Sequence, residues 1–329
     1  MVTEREDEES LETEVERRAI CIPAGLHGLR LDIALVNLVP EFSRSYLRQL
    51  IDAGAVTLEK GQVVKASSKV KAGDPVSIEL RPTLQSQAFK PEPVAFEVVY
   101  SDEHLLVINK PVGLVVHPAP GNWTGTLLNG LLAFDPQATI LPRAGIVHRL
   151  DKNTSGLMVV ARSRRTMDSL VEMIAARTVA RKYLALTDRH WAGPRHRDVE
   201  SAIGRDPRNR LRMAVVDLAQ CTGKPAKTTF DVICGTSSAA LIKCTLHTGR
   251  THQIRVHLSS IGFPIVGDEL YGGRPVGNLN RQALHANSLA FDHPVTREKL
   301  EFIAQPPTDF HAAMELLGLS YNTGQPQVD

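Results

Sequence analysis

The part of the sequence between residues 94 and 303 is dominated by short apolar segments with the length and composition of β-strands. Helical patterns separate only some of them, so the spacing is too irregular for repeated strand–helix–strand units. We therefore predict an α+β fold in which helices flank a mixed, largely antiparallel sheet. The predicted strands are 96–100, 105–109, 146–147, 157–161, 183–187, 228–233, 241–246, 284–289 and 299–303, and the predicted helices are 126–132, 166–177, 251–261 and 308–317.

A shorter pattern precedes this region and predicts a small α/β module. Apolar residues recur at helical spacing over residues 31–39, and Ser43 has the chemistry of an N-cap for a second helix over residues 44–53, which Gly54 closes. Strands are predicted at 56–58, 63–64 and 76–80, with a turn at Lys60 and Gly61. The module therefore occupies residues 19–80.

Two further segments complete the expected organisation. Residues 1–18 are acidic and poor in apolar groups, which predicts a disordered tail. Residues 81–93 are rich in proline and glutamine and lack periodicity, which is typical of a linker. A larger domain is expected over residues 94–329.

Composition excludes several classes of protein. Hydrophobic residues make up 43% and charged residues 22%, so wholesale disorder is not expected, and no apolar stretch is long enough to span a membrane. The N-terminus lacks the apolar region of a secretory signal. The four cysteines are few for a chain of this length and form no close C-x-x-C pair, which argues against a disulfide framework or a zinc knuckle. We expect a cytoplasmic protein. Without its acidic tail the chain is moderately basic, which permits a polyanionic partner.

The polar loop 148–155 lies between two apolar segments and contains one acid, Asp151, close to Arg149 and Lys152. An aspartate in such a loop is by default a turn former whose carboxylate accepts local backbone hydrogen bonds. The residues alone therefore leave two interpretations open, a turn and a functional carboxylate.

The segment 248–268 contains a second unusual charge. If Thr251 caps a helix, Arg255 falls in its first turn, where the helix dipole disfavours a cation. Arg255 therefore either has another partner or is exposed. His247, His252 and His257 follow at intervals of five, a spacing that separates their side chains on a helix or a strand, so no metal site is predicted. Phosphate-binding glycine loops and serine or cysteine nucleophile motifs are also missing.

Two basic clusters have alternative interpretations. Arg44 and Arg48 lie one helical turn apart and share a face. Residues 177–212 contain ten basic and four acidic side chains. Either cluster is a nucleic-acid footprint or a solvated surface.

Several long motifs occur in order along the chain: DEHLLVINKPVGLVVHP (102–118), PRAGIVHRLDKNTSGLMVVAR (142–162), ARKYLAL (180–186), TGRTHQIRVHLSSIGFPIVGDELYGG (248–273) and RQALHANSLAFDHP (281–294). In these motifs the chain resembles the RluA-type pseudouridine synthases, and residues 30–80 resemble an S4 RNA-binding domain. The resemblance covers most of residues 30–304.

The resemblance implies a role for individual residues. Asp151 corresponds to the catalytic carboxylate, and Arg149 to the arginine that enters the RNA helix where the target nucleotide leaves. Tyr183 matches the tyrosine that stacks near the flipped uracil, and Arg255 matches the arginine that pairs with the aspartate. Arg250 is a second candidate for that pairing. His148, Arg250, Arg44 and Arg48 join Arg149 as expected RNA-contacting residues. At position 153 the family often has aspartate, and Asn153 removes a charge that would oppose ionisation of Asp151.

The implied reaction converts uridine to pseudouridine. The target base leaves the RNA stack, the bond from C1′ to N1 breaks, and C5 bonds to C1′. No cofactor or metal is required. The resemblance implies 23S ribosomal RNA as partner, free or in large-subunit particles, in particular the helix 69 stem-loop, and a monomeric enzyme without membrane association. Three alternatives stay open: another rRNA or tRNA site, a non-catalytic RNA-binding assembly factor, and a uracil-releasing N-glycosidase. An adduct to the sugar, an adduct to the base and a glycal all remain possible intermediates.

Overall fold

The first strand, β1, spans Glu16–Cys21 in the computed structural model, which describes residues 16–58, 62–81, 88–209 and 211–321. Residues 16–18 were expected in the disordered tail, but they pair with a later strand, so this boundary was wrong by three residues. The rest of the predicted tail lies outside the described residues. The chain divides between Gln87 and Ala88 into two units, and this division falls inside the predicted linker.

The first unit combines two helices with a four-stranded antiparallel sheet in the order β1-β4-β2-β3. Its remaining elements are α1 (Leu31–Leu38), α2 (Arg44–Asp52), β2 (Val56–Leu58), β3 (Gln62–Val63) and β4 (Pro75–Leu80), with a short 3-10 helix at Ala24–Leu26. Ser43 caps α2 as predicted, since its hydroxyl accepts the backbone N–H of Tyr46. The predicted turn at Lys60 and Gly61 lies outside the described residues.

The second unit is built on a ten-stranded sheet. Its strands are β5 (Glu97–Ser101), β6 (Leu105–Lys110), β7 (Ser155–Ala161), β8 (Ala180–Thr187), β9 (His196–Arg205), β10 (Met213–Val215), β11 (Gly223–Gly235), β12 (Ala240–Leu246), β13 (Leu284–Asp292) and β14 (Lys299–Ile303). Its helices are α3 (Leu127–Phe134), α4 (Arg164–Ala175), α5 (Gln253–Ser260) and α6 (Thr308–Leu316), and 3-10 turns occur at Pro136–Ile140, Pro142–Gly145 and Glu269–Tyr271. None of the helices in the described ranges is long and apolar enough to cross a membrane.

The strand order is β10-β9-β11-β12-β8-β13-β7-β6-β5, and β14 pairs with β13. β7 and β13 run parallel, and the other neighbouring strands are antiparallel. The predicted mixed, largely antiparallel sheet is therefore confirmed.

Both faces of the sheet are covered around β6. Leu106 and Ile108 pack into one core cluster, whereas Leu105 and Val107 pack into another. Side chains alternate between the two faces of a strand, so a strand buried on both faces is a continuous apolar run. This explains why β6 and β7 are uninterrupted apolar segments in the sequence.

Three sequence predictions were wrong at this level. Residues 146–147 form no strand, because only Ile146 makes a single bridge, to Val160 of β7. β9 lies inside the basic region 177–212, where only 183–187 was predicted as a strand, because charged side chains occupy its exposed positions; the short strand β10 directly follows that region and was not predicted either. Thr251 does not cap α5: its N-cap is His252, which has no side-chain cap bond and a left-handed backbone.

Candidate active site

A cavity of about 720 Å³ opens in the second unit, between the loop that precedes β7, the strand β8 and the start of α5. This volume lies in the range of small-molecule sites. Six of the residues predicted for the site line it: His148, Arg149, Asp151, Tyr183, Arg250 and Arg255. The other two, Arg44 and Arg48, belong to the first unit and lie outside the cavity lining.

Asp151 is held by an arginine that a second carboxylate fixes in place. Arg255 donates from Nη1 to Asp151 Oδ2 at 3.1 Å, and from Nε and Nη2 to the two oxygens of Asp268 at 2.7 and 2.8 Å. Arg255 and Asp268 are both buried. Burial alone would lower the pKa of Arg255, but the hydrogen bonds and charges of Asp268 and Asp151 outweigh it and raise the pKa. The guanidinium is therefore permanently charged.

The position of Arg255 follows from this arrangement. It is the third residue of α5, where the helix dipole opposes a cation, and two carboxylates compensate for that position. Arg255, rather than Arg250, contacts Asp151. Arg250 instead donates from Nε to the carbonyl of Pro225 at 3.1 Å.

Tyr271 and His252 extend the cluster. The Arg255 guanidinium lies 4.8 Å from the centroid of the Tyr271 ring, and the Tyr271 hydroxyl lies 2.8 Å from Nδ1 of His252. That hydroxyl also accepts the backbone N–H of Met213 at 2.9 Å. The other ring nitrogen of His252, Nε2, faces Asp151 Oδ2 at 3.8 Å. Burial lowers the pKa of His252 and favours its neutral form.

The loop that carries Asp151 is shaped by unusual backbone geometry. Arg143, Ala144 and Gly145 all have positive φ, at 54°, 52° and 78°. A Cβ on Gly145 would lie 1.9 Å from the carbonyl oxygen of Ala161, so only glycine fits there. Non-glycine residues in this region are strained, and such residues concentrate at functional sites.

The buried side chain of Lys110 and the part-buried side chain of His148 tether the same loop. Lys110 donates from Nζ to the carbonyls of Pro111, Leu114 and Lys152 at 2.8, 2.9 and 3.1 Å, although burial lowers its pKa to about 7. His148 accepts the backbone N–H of Val159 at Nε2, and burial together with the Arg181 charge lowers its pKa to about 3. His148 is therefore a neutral anchor of the loop and not a cation for RNA phosphates.

Tyr183 lies on the buried face of β8 and lines the cavity. Burial raises the pKa of its hydroxyl, so the phenol is protonated at neutral pH. Its flat apolar ring offers a stacking surface for a planar base.

The cavity is strongly basic. Among its lining residues, six arginines accompany the single carboxylate of Asp151: Arg143, Arg149, Arg177, Arg181, Arg250 and Arg255. Arg149 is exposed at the mouth. Such a charge distribution attracts a polyanion.

In the first unit, Arg44 has a structural partner. Arg44 and Arg30 both pair with the buried carboxylate of Asp32, at 2.6 and 2.9 Å. Hydrogen bonds from Arg30 and Arg44 outweigh the effect of burial and lower the pKa of Asp32 to about 2. Arg48 lies 3.9 Å from Asp52 and is exposed.

Sequence reasoning assigned no role to Asp268, Tyr271 or Lys110, and it considered His252 only as a metal ligand. Asp268 follows an apolar run and is itself buried, as is Lys110 at the end of β6. A charged residue directly after a buried segment is the signal that could have marked both, because buried charges need partners.

Known protein families and proteins match this chain in sequence. Residues 104–260 match the sequence model of the RNA pseudouridylate synthase family, and residues 29–76 match that of the S4 domain. The chain is 45% identical over 319 residues to a protein of Neisseria meningitidis named ribosomal large subunit pseudouridine synthase D, covering 93% of this chain and 84% of that protein.

Two further relatives extend the match. A protein of the same name from Nitrosomonas europaea is 42% identical over 308 residues, covering 91% of this chain and 87% of that protein. The solved structure of human RNA pseudouridylate synthase domain containing 4 is 27% identical with a TM-score of 0.54, covering 68% of this chain and 94% of that one. With a family match across the cavity and relatives of this identity along nearly the whole chain, the protein belongs to the RNA pseudouridylate synthase family and carries an S4 domain.

Proposed function

We propose that this enzyme isomerises uridine to pseudouridine in large-subunit ribosomal RNA, with Asp151 as the catalytic carboxylate. The observation that carries the proposal is the Asp151 carboxylate itself, which Arg255 holds at 3.1 Å inside a cavity that is otherwise basic. The names of the bacterial relatives and the S4 domain support ribosomal RNA as the substrate.

The target nucleotide leaves the RNA stack to reach Asp151. Extrusion of a paired or stacked base costs a few kcal/mol. Arg149, exposed at the cavity mouth, offers a planar cation that fills the vacated position and pairs with phosphates. Arg250 contributes positive charge at the same cavity, and Arg44 and Arg48 do so on the S4 domain.

Asp151 then acts on the sugar. Its ionised carboxylate attacks C1′, or stabilises positive charge there, while the C1′–N1 bond breaks. The uracil turns and C5 bonds to C1′, which releases the Asp151 carboxylate if it had attacked there. The hydrogen of C5 leaves as a proton, and N1 takes one up. Arg255 fixes the direction of the carboxylate through its hydrogen bond to Oδ2.

Tyr183 supports the base during this turn. Its buried ring stacks on the uracil, and its protonated hydroxyl takes part in proton transfer near C5. The S4 domain contributes a second RNA-binding surface.

The proposed target is the helix 69 stem-loop of 23S ribosomal RNA. Its test is release of tritium from RNA transcribed with C5-tritiated uridine, measured on a helix 69 stem-loop, on other large-subunit fragments and on a tRNA of matched length. Release from the helix 69 stem-loop at a rate well above the others is expected. Preferential release from a tRNA or from another rRNA fragment would reassign the target.

Two other activities are separated by the same reaction. A uracil-releasing N-glycosidase would liberate free uracil, whereas a synthase leaves the base in the RNA. A non-catalytic assembly factor would release neither tritium nor uracil, and Asp151→Asn would then support growth as well as the wild type.

We also propose that the enzyme works in the cytoplasm as a monomer. Sedimentation of the active protein at the mass of one chain, 36.1 kDa, is the expected result, and activity confined to a dimer would contradict it.

A further inference from the structure

Arg181 of β8 is buried without a partner. Three arginines of the second unit, Arg181, Arg255 and Arg281, are each only 7% exposed. Arg255 pairs with Asp268, and Arg281 pairs with Asp309 through two bonds of 2.7 and 2.8 Å. The Arg181 side chain makes no hydrogen bond or ion pair with any residue in the described ranges, and its Nε is fully buried and unpartnered.

The guanidinium of Arg181 faces the active-site cavity. Arg181 and Tyr183 are two residues apart on β8, so their side chains lie on the same face, and both line the cavity with Asp151. The guanidinium also lies against the loop before α5, since a Cβ on Gly249 would be 3.2 Å from Arg181 Nη1. Glycine at this position lets the cation lie close to the loop backbone.

A second unpartnered polar atom lies at the same wall. Nδ1 of His148 is buried without a partner, while Nε2 of the same ring is occupied by Val159 N–H. Because Nε2 accepts a hydrogen bond, the neutral ring carries its proton on Nδ1. The wall beside Tyr183 therefore presents a cation and a neutral N–H donor, both without acceptors among the described residues.

An uncompensated buried cation is costly, and native proteins keep one where a ligand completes it. We propose that Arg181 binds a backbone phosphate of the flipped nucleotide, an inference that rests on the proposed function in its choice of RNA. A phosphate supplies the full negative charge that the site lacks, and a guanidinium binds it through paired hydrogen bonds. A uracil carbonyl would leave the charge uncompensated.

The first test compares the stability of the free protein. Arg181→Met removes a buried charge without a partner, so the Tm of the second unit should rise, by about 2–4 °C. Arg281→Met is the matched control, since it removes an equally buried arginine and leaves Asp309 unpaired, and its Tm should fall. A fall of the same size for Arg181→Met would show a structural role and overturn the inference.

The second test is a binding cycle on a helix 69 stem-loop. Neutral methylphosphonates replace the linkage 5′ or 3′ to the target uridine, one at a time. The wild type should lose about 10- to 100-fold in affinity at one of these linkages. Arg181→Met should bind the unmodified RNA more weakly by a similar factor, and the methylphosphonate at that linkage should reduce its affinity little further. The slope of its affinity against salt concentration should correspond to about one phosphate contact fewer than in the wild type.

Control variants make this cycle decisive. Arg177→Met, which removes an exposed arginine of the same cavity, should keep the methylphosphonate loss of the wild type. Arg181→Lys should keep the salt dependence of the wild type. Equal losses of affinity on methylphosphonate RNA in Arg181→Met and in the wild type would overturn the inference. It would also be overturned if the affinity difference between Arg181→Met and the wild type disappeared only on RNA whose uracil carbonyl oxygens are replaced by sulfur, because Arg181 would then contact the base.

The cycle needs only binding, so its outcome is separate from catalysis. If Arg181 and one phosphate prove to be coupled in binding on an RNA from which the wild type releases no tritium, the role of Arg181 is kept and the proposed reaction or target is rejected. Tritium release without the coupling would retain the reaction and reject the role of Arg181.

Discussion

Asp268→Asn tests how the catalytic carboxylate is oriented. Asp268 accepts two bonds from Arg255, of 2.7 and 2.8 Å, and Arg255 gives its third bond to Asp151. Asparagine has nearly the same shape but no charge, and only one of its terminal atoms accepts a hydrogen bond. The guanidinium would then lose one of its three bonds and its strongest charge partner.

The magnitude follows from burial. Removing one partner of a buried ion pair costs about 3–5 kcal/mol of unfolding free energy, because the other charge stays buried. The Arg274–Asp188 pair supplies the control, since it is also bidentate, at 2.9 and 3.1 Å, but the Arg274 side chain is 79% exposed. Asp188→Asn should therefore cost about 1 kcal/mol or less.

The same variants separate orientation from folding. At a temperature where both are folded, Asp268→Asn should lower kcat for tritium release by about 100-fold, because a misplaced reacting group costs that much. RNA affinity should change little, and Asp188→Asn should keep the kcat of the wild type. Urea unfolding and single-turnover kinetics provide the two readouts. A kcat of Asp268→Asn within about threefold of the wild type would refute the orienting role of Asp268.

Three further outcomes are expected. Burial lowers the pKa of His257 and of His285 to about 4. Between about pH 6.5 and 4 the unfolded chain therefore binds more protons than the folded one, so the unfolding free energy falls as the pH is lowered through this window. In urea unfolding, His257→Gln should reduce the slope of unfolding free energy against pH by up to one proton, and an unchanged slope would contradict the burial of a neutral His257. Gly145→Ala should lower the unfolding free energy by about 3–5 kcal/mol, because the added Cβ meets the Ala161 carbonyl. The control Gly262→Ala, at a glycine with positive φ but open space, should cost about 1 kcal/mol. Equal losses in thermal melting would contradict the steric argument. Arg44→Gln should weaken RNA binding and should also lower the unfolding free energy of the S4 domain by about 1–2 kcal/mol, because Arg44 pairs with Asp32. Arg48→Gln should weaken RNA binding alone. Equal unfolding free energies of the two variants would contradict the role of the Asp32 pair.

Local patterns predicted the parts of this fold that local forces determine. The apolar runs of β6 and β7, the Ser43 cap and the Thr126 cap of α3 were all readable, because burial and capping act on neighbouring residues. β9 escaped prediction because its exposed face carries charged groups, such as Asp198 and Glu200, while its inward face is only partly apolar.

The site was predictable only through family motifs. Spacing alone left Asp151 as either a turn former or a functional carboxylate, and Arg255 as either exposed or paired with an unidentified partner. Their contact joins residues 104 positions apart, and it depends on the left-handed turn at Arg143 to Gly145 and on the left-handed His252, which no local pattern announced. The unpartnered Arg181 was likewise invisible, because its lack of a counter-charge is a property of the folded wall.

The most direct test of the account measures tritium release by Asp151→Asn under single-turnover conditions on the stem-loop that the wild type modifies, with RNA affinity measured in parallel. Asparagine keeps the size of the side chain and removes the charge that acts on C1′. We expect affinity close to that of the wild type and no release above background. Release at a substantial fraction of the wild-type rate, by a variant that binds equally well, would contradict the assignment of Asp151 as the catalytic carboxylate.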